Sequence, residues 1–397
     1  MVNKVNNSNQ HFDVIVVGAG LIGLAAVIAL SVQGKHVALV DAKPKPKLNK
    51  LNKVWDSRIY ALTPSTERWL DQQRVWSLID QSRIQYVEGM ALWSPKSESP
   101  LHLHASDANL SNLACIIENQ NLIQALWQQV EALNIPILMD STCQRIAYKD
   151  DQVVVEFDKG CQITAQLLVA ADGANSSVRQ ALGITTNTKD FNQTALVANY
   201  KIENRHNNVA MQWFKPHETL ALLPIPDKYM SMVWAMSTDK AQKLLTLTKE
   251  ELAESARLAS NNVVGGLMPV SDTSSFLLRQ VTVSKQTGER VVFVGDAAHQ
   301  VHPMAGQGAN LGFRDIIELE SLIKSSHPLQ DIGDAFFLRQ YARIRKADII
   351  RMNTLTSGLD TMFAFESKAL AKLVSLGMQQ LDKYATIKRV LINQAVA

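Results

Sequence analysis

The chain has 397 residues, of which 46% are hydrophobic and 19% charged, which suits two or three packed units and excludes a disordered chain, a collagen and a disulfide miniprotein. Its 40 Lys and Arg residues nearly balance 37 Asp and Glu residues, for a formal charge of +3, and the basic residues are dispersed along the sequence. Nucleic acid is therefore not an expected partner. The cysteines, Cys115, Cys143 and Cys161, have no metal-ligand spacing and are predicted to be ordinary thiols of a reducing compartment.

The first apolar run extends from Val14 to Gly34 and holds 21 residues without a charge. Its length alone would suit a transmembrane helix, but Gly18, Gly20 and Gly23 interrupt it, so a buried strand, a tight turn and a buried helix are predicted instead. No later stretch is as long and as apolar. We therefore expect a cytoplasmic protein, with attachment to the surface of the inner membrane as the open alternative.

Hydrophobic patterns place the further elements along the chain. Short β-branched runs that each end at an Asp or a turn predict one sheet assembled from separated segments, and the alternating stretches between residues 196 and 234 predict a separate antiparallel sheet. The predicted strands are 14–17, 37–40, 167–171, 209–214, 231–234 and 290–294, and the predicted helices are 21–33, 315–324, 335–362 and 368–384.

The first chemical motif is G-x-G-x-x-G at residues 18–23, between a predicted strand and a predicted helix. Gly18 allows the tight turn, Gly20 lets the backbone approach a pyrophosphate, and Gly23 lets the helix pack closely on the strand. Asp41, 23 residues after Gly18, is placed to accept a hydrogen bond from a ribose 2′-hydroxyl. The motif predicts a dinucleotide site and leaves FAD and NAD open, while an acid at this position disfavours NADP.

Two further turns carry an Asp just after a predicted strand. Asp172 lies in the D-G turn of residues 171–179, for which the alternative is a strand-to-helix turn whose Asp or Ser caps the helix. Asp296 lies near the start of the stretch 294–312, which is rich in small residues and leads into a helix predicted to begin at Leu311. The alternative there is a glycine-rich loop, but so many small residues indicate close approach of a ligand.

These three stretches together resemble the FAD-dependent aromatic hydroxylases, the para-hydroxybenzoate-hydroxylase-like class of flavoprotein monooxygenases, which carry the G-x-G-x-x-G, D-G and G-D motifs in this order. More narrowly, residues 56–62, 117–119 and 295–312 resemble the ubiquinone-biosynthesis branch, the 2-octaprenylphenol-hydroxylase-like enzymes. The similarity extends from Asp13 to about Leu376 and so covers nearly the whole chain.

The resemblance implies an α/β fold, α+β overall, with a Rossmann-like FAD-binding domain, an inserted antiparallel β-sheet substrate domain and C-terminal helices. The discontinuous FAD-binding domain is expected at residues 12–80, 106–185 and 276–335. The substrate domain is expected at residues 81–105 and 186–275, and the helical region at 336–397.

The resemblance also implies cofactor contacts beyond the first turn. Asp296 is expected to bind the ribityl hydroxyls of FAD, and the backbone of residues 306–310 to lie beside the pyrophosphate and the flavin ring, where a helix N-terminus would stabilise negative charge on the reduced flavin. Asp172 and Arg179 are expected to serve both FAD and transient NAD(P)H. The full set of implied FAD contacts in these later segments is Arg58, Asn119, Asp172, Asp296, Gly306, Gly308, Ala309 and Asn310.

The activity implied by the resemblance is hydroxylation of a polyprenylated phenol in ubiquinone biosynthesis, with NAD(P)H and O₂ as co-substrates and a flavin C4a-hydroperoxide as the oxygen donor. Other ubiquinone-biosynthesis proteins are further expected partners. Two alternatives stay open, a flavin monooxygenase of a soluble phenol and a non-catalytic FAD-binding subunit of a quinone-biosynthesis complex. No catalytic acid or base is identified from the sequence.

Two other features have competing explanations. His299 and His302 have an i, i+3 spacing, but no third ligand accompanies them, so no metal site is predicted. The segment 363–384 mixes leucines with lysines, which suits either a helix packed on the FAD-binding domain or a helix at a lipid interface.

Overall fold

A computed structural model describes residues 10–47, 55–95, 99–301, 307–363, 388–390 and 392–393. The strands, in chain order, are β1 (Gln10–Val17), β2 (Val37–Val40), β3 (Ile59–Leu62), β4 (Gln85–Val87), β5 (Gly89–Trp93), β6 (Leu101–His104), β7 (Ala114–Glu118), β8 (Ile137–Leu138), β9 (Cys143–Lys149), β10 (Gln152–Phe157), β11 (Gln162–Ala170), β12 (Thr186–Ile202), β13 (Val209–Lys215), β14 (Glu218–Ile225), β15 (Tyr229–Ser237), β16 (Leu267–Pro269), β17 (Ser274–Val283), β18 (Thr287–Gly288), β19 (Val291–Phe293) and β20 (His299–Gln300).

The helices, again in chain order, are α1 (Leu21–Val32), α2 (Pro64–Gln72), α3 (Asn119–Ala132), α4 (Ser177–Ala181), α5 (Thr238–Leu245), α6 (Lys249–Ala259), α7 (Gly308–Ser325) and α8 (Ala335–Phe363). Short 3-10 helices are found at Trp76–Leu78, Gln81–Arg83, Ala105–Ala108, Asp158–Gly160 and Gly295–Ala297. Within the described ranges, no helix combines the length and the apolarity needed to span a bilayer.

The first sheet is assembled from distant segments of the chain, as the sequence predicted. Its parallel part has the order β19-β11-β1-β2-β8, and β18, β9 and β10 extend it by antiparallel pairing. The predicted strands 14–17, 37–40, 167–171 and 290–294 all lie in or largely within it. Parallel strands need crossover connections, and α1 provides the one between β1 and β2.

Both faces of this sheet are covered, which explains the continuous β-branched runs. Val14 and Val16 of β1 pack into the cluster that contains α1 and α3, whereas Ile15 and Val17 pack on the opposite face with residues of β9, β10 and α4. Burying a side chain such as Leu24 of α1, which is fully enclosed, stabilises the fold by about 1.5–3 kcal/mol.

The second sheet has the order β20-β17-β12-β15-β14-β13-β5-β6, with β16 beside β12. Its pairings are antiparallel except for β5 with β13, so the antiparallel sheet predicted between residues 196 and 234 is confirmed and is larger than expected. Helices α5 and α6 cover one face through residues such as Ala241 and Leu252. A small sheet, β3-β7-β4, contacts it through Ile116 and Leu223.

The helix boundaries contain one correction. Helix α7 begins at Gly308, three residues before the helix start predicted at Leu311 and seven before the helical pattern predicted at residues 315–324. Bonds from the side chain of Asn310 to β3 and α2 hold this first turn in place. Helix α8 matches the prediction for residues 335–362. The segment 368–384, predicted as a helix, lies outside the described residues.

Candidate functional site

Four strands of the parallel sheet end in one row. In the register of the sheet, Val40 of β2 lies beside Val17 of β1, which lies beside Ala170 of β11, which lies beside Phe293 of β19. The residues that follow these strands carry the three sequence motifs. Ligands of open α/β sheets bind at the carboxyl ends of parallel strands, so this row is the candidate site.

The first turn is shaped by two glycines at which a Cβ would overlap backbone atoms. Gly18 has φ +114°, and a Cβ on it would lie 2.3 Å from the Ala171 carbonyl oxygen. A Cβ on Gly23 would lie 1.7 Å from the Gly18 carbonyl oxygen, so the start of α1 packs directly on the end of β1. Gly20 differs, because a Cβ there meets no atom within 4 Å. Its side of the turn is open.

Asp41 braces this first turn from the end of β2. One carboxylate oxygen accepts the Ala19 N–H and the other accepts the Lys43 N–H at 2.7 Å. A carboxylate has about four lone-pair positions, so these two bonds leave acceptor capacity for a further donor. The side chain therefore has a structural role that the sequence did not predict.

The second turn is held by two charged side chains. One oxygen of Asp172 accepts the Ser177 N–H at 2.7 Å and the Val178 N–H at 3.2 Å, which caps α4, while its other oxygen is buried without a hydrogen-bond partner among the described residues. The buried guanidinium of Arg179 donates to the carbonyls of Ala174 and Ala297. Arg179 thereby ties the second turn to the third.

The third turn contacts the first through Ile22 of α1. Gly295 has φ +56°, and a Cβ on it would lie 3.1 Å from Ile22. A Cβ on Gly312 of α7 would lie 2.8 Å from the same side chain. The Ile22 side chain therefore packs against both glycines, because neither has a side chain of its own. The first and third motifs are thus in contact although more than 270 residues separate them in sequence.

Asp296 is exposed at the end of β19, and Gln300 donates to it at 3.4 Å. Asp296 is close enough to Tyr60 of β3 for its charge to contribute to the raised pKa of that tyrosine. Burial raises the pKa of Tyr60, the adjacent Arg58 lowers it and the Asp296 charge raises it. The Tyr60 hydroxyl donates to Asn119 at 3.0 Å, and Arg58 lies over the Tyr60 ring at 5.6 Å. The predicted residues Arg58, Asn119 and Asp296 are therefore near neighbours.

The predicted residues at the start of α7 have mixed environments. Asn310 is buried, and its amide donates to the Ala61 carbonyl and accepts from the Thr63 N–H, so its side chain is committed to the protein. Gly308 is exposed and Ala309 is half-buried. A Cβ on Gly308 meets no atom within 4 Å. Gly306 and His302 lie outside the described residues.

A buried charge network behind the third turn was missed by the sequence analysis. Asp315 of α7 is fully enclosed and accepts the Gly295 N–H at 2.8 Å, the His299 Nε2–H at 2.7 Å and the Arg345 Nε–H of α8 at 2.7 Å. Arg345 also donates to Asp348 at 2.6 Å. Leu311, Asp315 and Leu319 are spaced four residues apart and all lie on the buried face of α7. An acidic residue at a position where the helical pattern calls for an apolar one was the sequence feature that could have predicted this buried network.

The electrostatics of this network favour its ionised form. Burial acts to raise the pKa of Asp315, but His299, Arg345 and the Gly295 N–H together hold it below its ordinary value. The pKa of Arg345 is raised, because the Asp315 and Asp348 carboxylates outweigh its burial. Asp315 is therefore ionised, and it holds the backbone at Gly295, the residue directly before Asp296.

The described residues do not indicate metal or thiol chemistry at this site. Among the described residues, no group of three or more His, Cys, Asp or Glu side chains could hold a metal ion, and His299 is committed to Asp315. The three cysteines are free thiols. Burial raises the pKa of Cys143 to about 12 and also raises that of Cys115, which makes both thiols poor nucleophiles.

The geometry fits an extended dinucleotide. Gly20 and Gly308, at the starts of α1 and α7, both face open space, and helix N-termini offer free N–H groups and positive potential to phosphates. Asp172 adds a buried carboxylate oxygen without a partner among the described residues, and Asp296 adds an exposed carboxylate. Phosphate, hydroxyl and amide groups of a flavin dinucleotide match this set of donors and acceptors.

Known proteins share both the sequence and the fold. A family model described as an FAD binding domain matches residues 11–354. Ubiquinone hydroxylase UbiL of Rhodospirillum rubrum is 30% identical over 398 residues, which cover 98% of this chain and 90% of that protein. The human ubiquinone biosynthesis monooxygenase COQ6 is 28% identical and covers 96% of this chain, with 92% of its own length aligned.

Among solved structures, p-nitrophenol 4-monooxygenase PnpA of Pseudomonas putida superposes with a TM-score of 0.78 at 17% identity, over 98% of this chain and 99% of that one. This likeness confirms the predicted fold of the flavoprotein monooxygenases. The chain therefore belongs to the FAD binding domain family, in the group of ubiquinone-biosynthesis hydroxylases that its motifs predicted, and it is an FAD-dependent oxidoreductase of the aromatic hydroxylase type.

Proposed function

We propose that this protein hydroxylates the aromatic ring of a polyprenylated phenol in ubiquinone biosynthesis, with NAD(P)H and O₂ as co-substrates. The observation that carries the proposal is the convergence of all three motifs on one row of strand ends, in a chain whose full-length relatives are named ubiquinone hydroxylases and monooxygenases. The motifs support a flavin site, and the names of the relatives support a substrate from ubiquinone biosynthesis.

The protein would hold FAD along this row. The open backbone at Gly20 and the N-terminus of α1 suit the pyrophosphate, and the free acceptor capacity of Asp41 suits a ribose hydroxyl. Asp296 suits the ribityl hydroxyls, and the start of α7 at Gly308 and Ala309 suits the flavin ring, where the helix N-terminus stabilises negative charge. Bound FAD supplies the oxygen-transfer chemistry.

Other predicted contacts act by positioning in this proposal. Asn119 accepts the Tyr60 hydroxyl beside Arg58, which leaves the exposed Arg58 guanidinium to face the cofactor. Arg179 is buried and donates to two carbonyls, so in this proposal it orients the second turn. Asn310 contributes through its backbone, since its side chain is bonded to β3 and α2.

The domain boundaries remain part of the proposal. The FAD-binding domain takes residues 12–80, 106–185 and 276–335, the substrate domain takes 81–105 and 186–275, and the helical region takes 336–397. In the second sheet, the face that points away from α5 and α6 carries apolar residues such as Val233 and Leu223. An apolar face beside the flavin site would orient a prenylated ring and exclude water.

Mass spectrometry of quinone lipids tests the substrate class. Cells that lack the gene should accumulate a polyprenylated ring short of one oxygen, and complementation with the wild type should remove it. An unchanged quinone profile would contradict the proposal and favour a soluble phenol as substrate. Consumption of NAD(P)H by the purified protein tests the proposed co-substrate.

The cofactor site is tested by Asp296→Ala. Loss of a carboxylate that accepts ribityl hydroxyls should weaken FAD binding at least tenfold, about 1.4 kcal/mol, with little effect on the thermal stability of the protein because Asp296 is exposed. Asp239→Ala, at an exposed carboxylate in α5, is the matched control. Normal FAD affinity and turnover in Asp296→Ala would refute the assignment. Titration of the apoprotein with FAD measures the affinity.

A further inference from the structure

Helix α8 presents an uneven distribution of charge to solvent. Its exposed side between residues 335 and 351 contains four basic residues and no acidic residue. Arg339, Arg343 and Lys346 follow one another at spacings of four and three, so they share one face of the helix, and Arg351 extends the same side. These four charges exceed the formal charge of +3 of the whole chain.

The opposite side of α8 is committed to the fold. Phe337, Leu338 and Tyr341 are buried in the core cluster of the first sheet, and Arg345 points inward to Asp315. The exposed cations have no such role, because Arg339, Arg343 and Lys346 form no ion pair with the described residues. Their charge is available to an external partner.

Apolar side chains accompany the cations on the same face. Phe336 is 71% exposed and Ile350 is 53% exposed, and they flank the basic residues over 14 helical positions, a distance of about 21 Å. Leu329, just before the helix, is 89% exposed. A solvated helix face needs only polar residues, whereas exposed aromatic and aliphatic anchors among cations are typical of a helix that lies on a lipid surface.

We propose that this basic face of α8, defined by Phe336, Arg339, Arg343, Lys346 and Ile350, docks the protein on an anionic phospholipid surface. The cations complement the headgroups, and the two apolar side chains enter the interface. The inference rests on the proposed function in one respect, because a polyprenyl chain keeps its substrate in a bilayer. Docking through α8 would bring the flavin domain to that substrate without a membrane-spanning segment.

Vesicle co-sedimentation of the FAD-loaded protein tests this surface. Wild type should bind vesicles that contain phosphatidylglycerol, bind phosphatidylcholine vesicles weakly, and dissociate in high salt. The triple variant Arg339→Gln, Arg343→Gln, Lys346→Gln should bind about 100-fold more weakly, because each basic side chain near an anionic surface contributes about 1 kcal/mol and 1.4 kcal/mol is tenfold. Phe336→Ser with Ile350→Ser should weaken binding without changing the salt dependence.

The matched control removes three exposed cations elsewhere, Arg145→Gln, Lys149→Gln and Lys285→Gln, and should bind as wild type does. FAD content and melting temperature show whether each variant is folded. Equal binding by the two triple variants, or no binding of wild type to anionic vesicles, would overturn the proposal, and the latter result would favour an acidic protein as the partner. If wild type binds no vesicles but restores the quinone profile of cells that lack the gene, the docking surface is refuted and the proposed function stands. If wild type binds vesicles but loss of the gene leaves the quinone profile unchanged, the proposed function is refuted and the docking surface stands.

Discussion

The first and third turns of the flavin site serve one ligand but are held in place by different means. The first turn is held by glycine geometry: Gly23 packs on the Gly18 carbonyl and Ala19 bonds to Asp41, both within 24 residues of sequence, and Gly18 lies close to the Ala171 carbonyl. The third turn is held by a buried ion pair, because its Gly295 N–H bonds to Asp315 of α7 and Asp315 is paired with Arg345 of α8.

This difference separates two kinds of constraint. A turn made from glycine geometry is encoded by residue type and spacing, and it tolerates change elsewhere in the chain. A turn made from a buried ion pair depends on two helices, α7 and α8, that must both be docked before the carboxylate is paired. We therefore expect the two turns to respond differently to substitution.

The largest effect is expected from Asp315→Ala. The substitution leaves Arg345 buried without its main partner and removes the acceptor of the Gly295 N–H. Breaking a buried ion pair from one side costs about 3–5 kcal/mol, which denaturant unfolding would measure. The double variant Asp315→Ala, Arg345→Met should cost less than the sum of the single variants. A cost near zero for Asp315→Ala would show that the third turn does not need the network.

An intermediate effect is expected from glycine substitution in the first turn. Gly23→Ala places a Cβ against the Gly18 carbonyl and should lower the free energy of unfolding by about 1–3 kcal/mol. Gly20→Ala adds a methyl group to open space and should leave stability unchanged while it weakens FAD binding. Equal loss of stability in the two variants would mean that the turn is tightly packed on both sides. Unfolding and FAD titration measure the two properties separately.

The smallest effect is expected in the pH dependence of Asp315→Asn. Because the folded pKa of Asp315 lies below its ordinary value, its carboxylate contributes stability above an unfolded pKa of about 3.9 and loses that contribution as the pH falls through the folded pKa. The difference in unfolding free energy between wild type and Asp315→Asn should therefore be constant near neutral pH and shrink in acid. If the difference in unfolding free energy stays constant as the pH falls into the acid range, ionisation of Asp315 does not contribute to stability as proposed.

Sequence patterns were sufficient for much of the fold. The strand 37–40 matched its structural bounds, and the helix predicted at 21–33 was found one residue shorter, because hydrophobic runs and glycine stops act over a few residues. The start of α7 was misplaced, because the glycine-rich stretch before Leu311 has no local pattern for a helix. Its first turn is stabilised by bonds from Asn310 to β3 and α2, which are distant in sequence.

The basic face of α8 shows the same limit for charge. Its arginines and lysine are spread among apolar residues in the sequence, and only helical spacing with one side buried gathers them on the surface.

Residue type and spacing alone were enough to place the βαβ unit and the three motifs, because glycine geometry, strand burial and helix N-termini are local properties. The FAD-dependent family followed from the resemblance that these motifs carry. Three contacts depended on the folded chain. They are the packing of Ile22 against Gly295 and Gly312, the hydrogen bond from Arg179 to the Ala297 carbonyl, and the buried pair of Asp315 with Arg345. These contacts join segments separated by 30 to several hundred residues, and a buried charge is stable only when packing brings its partner within bonding distance.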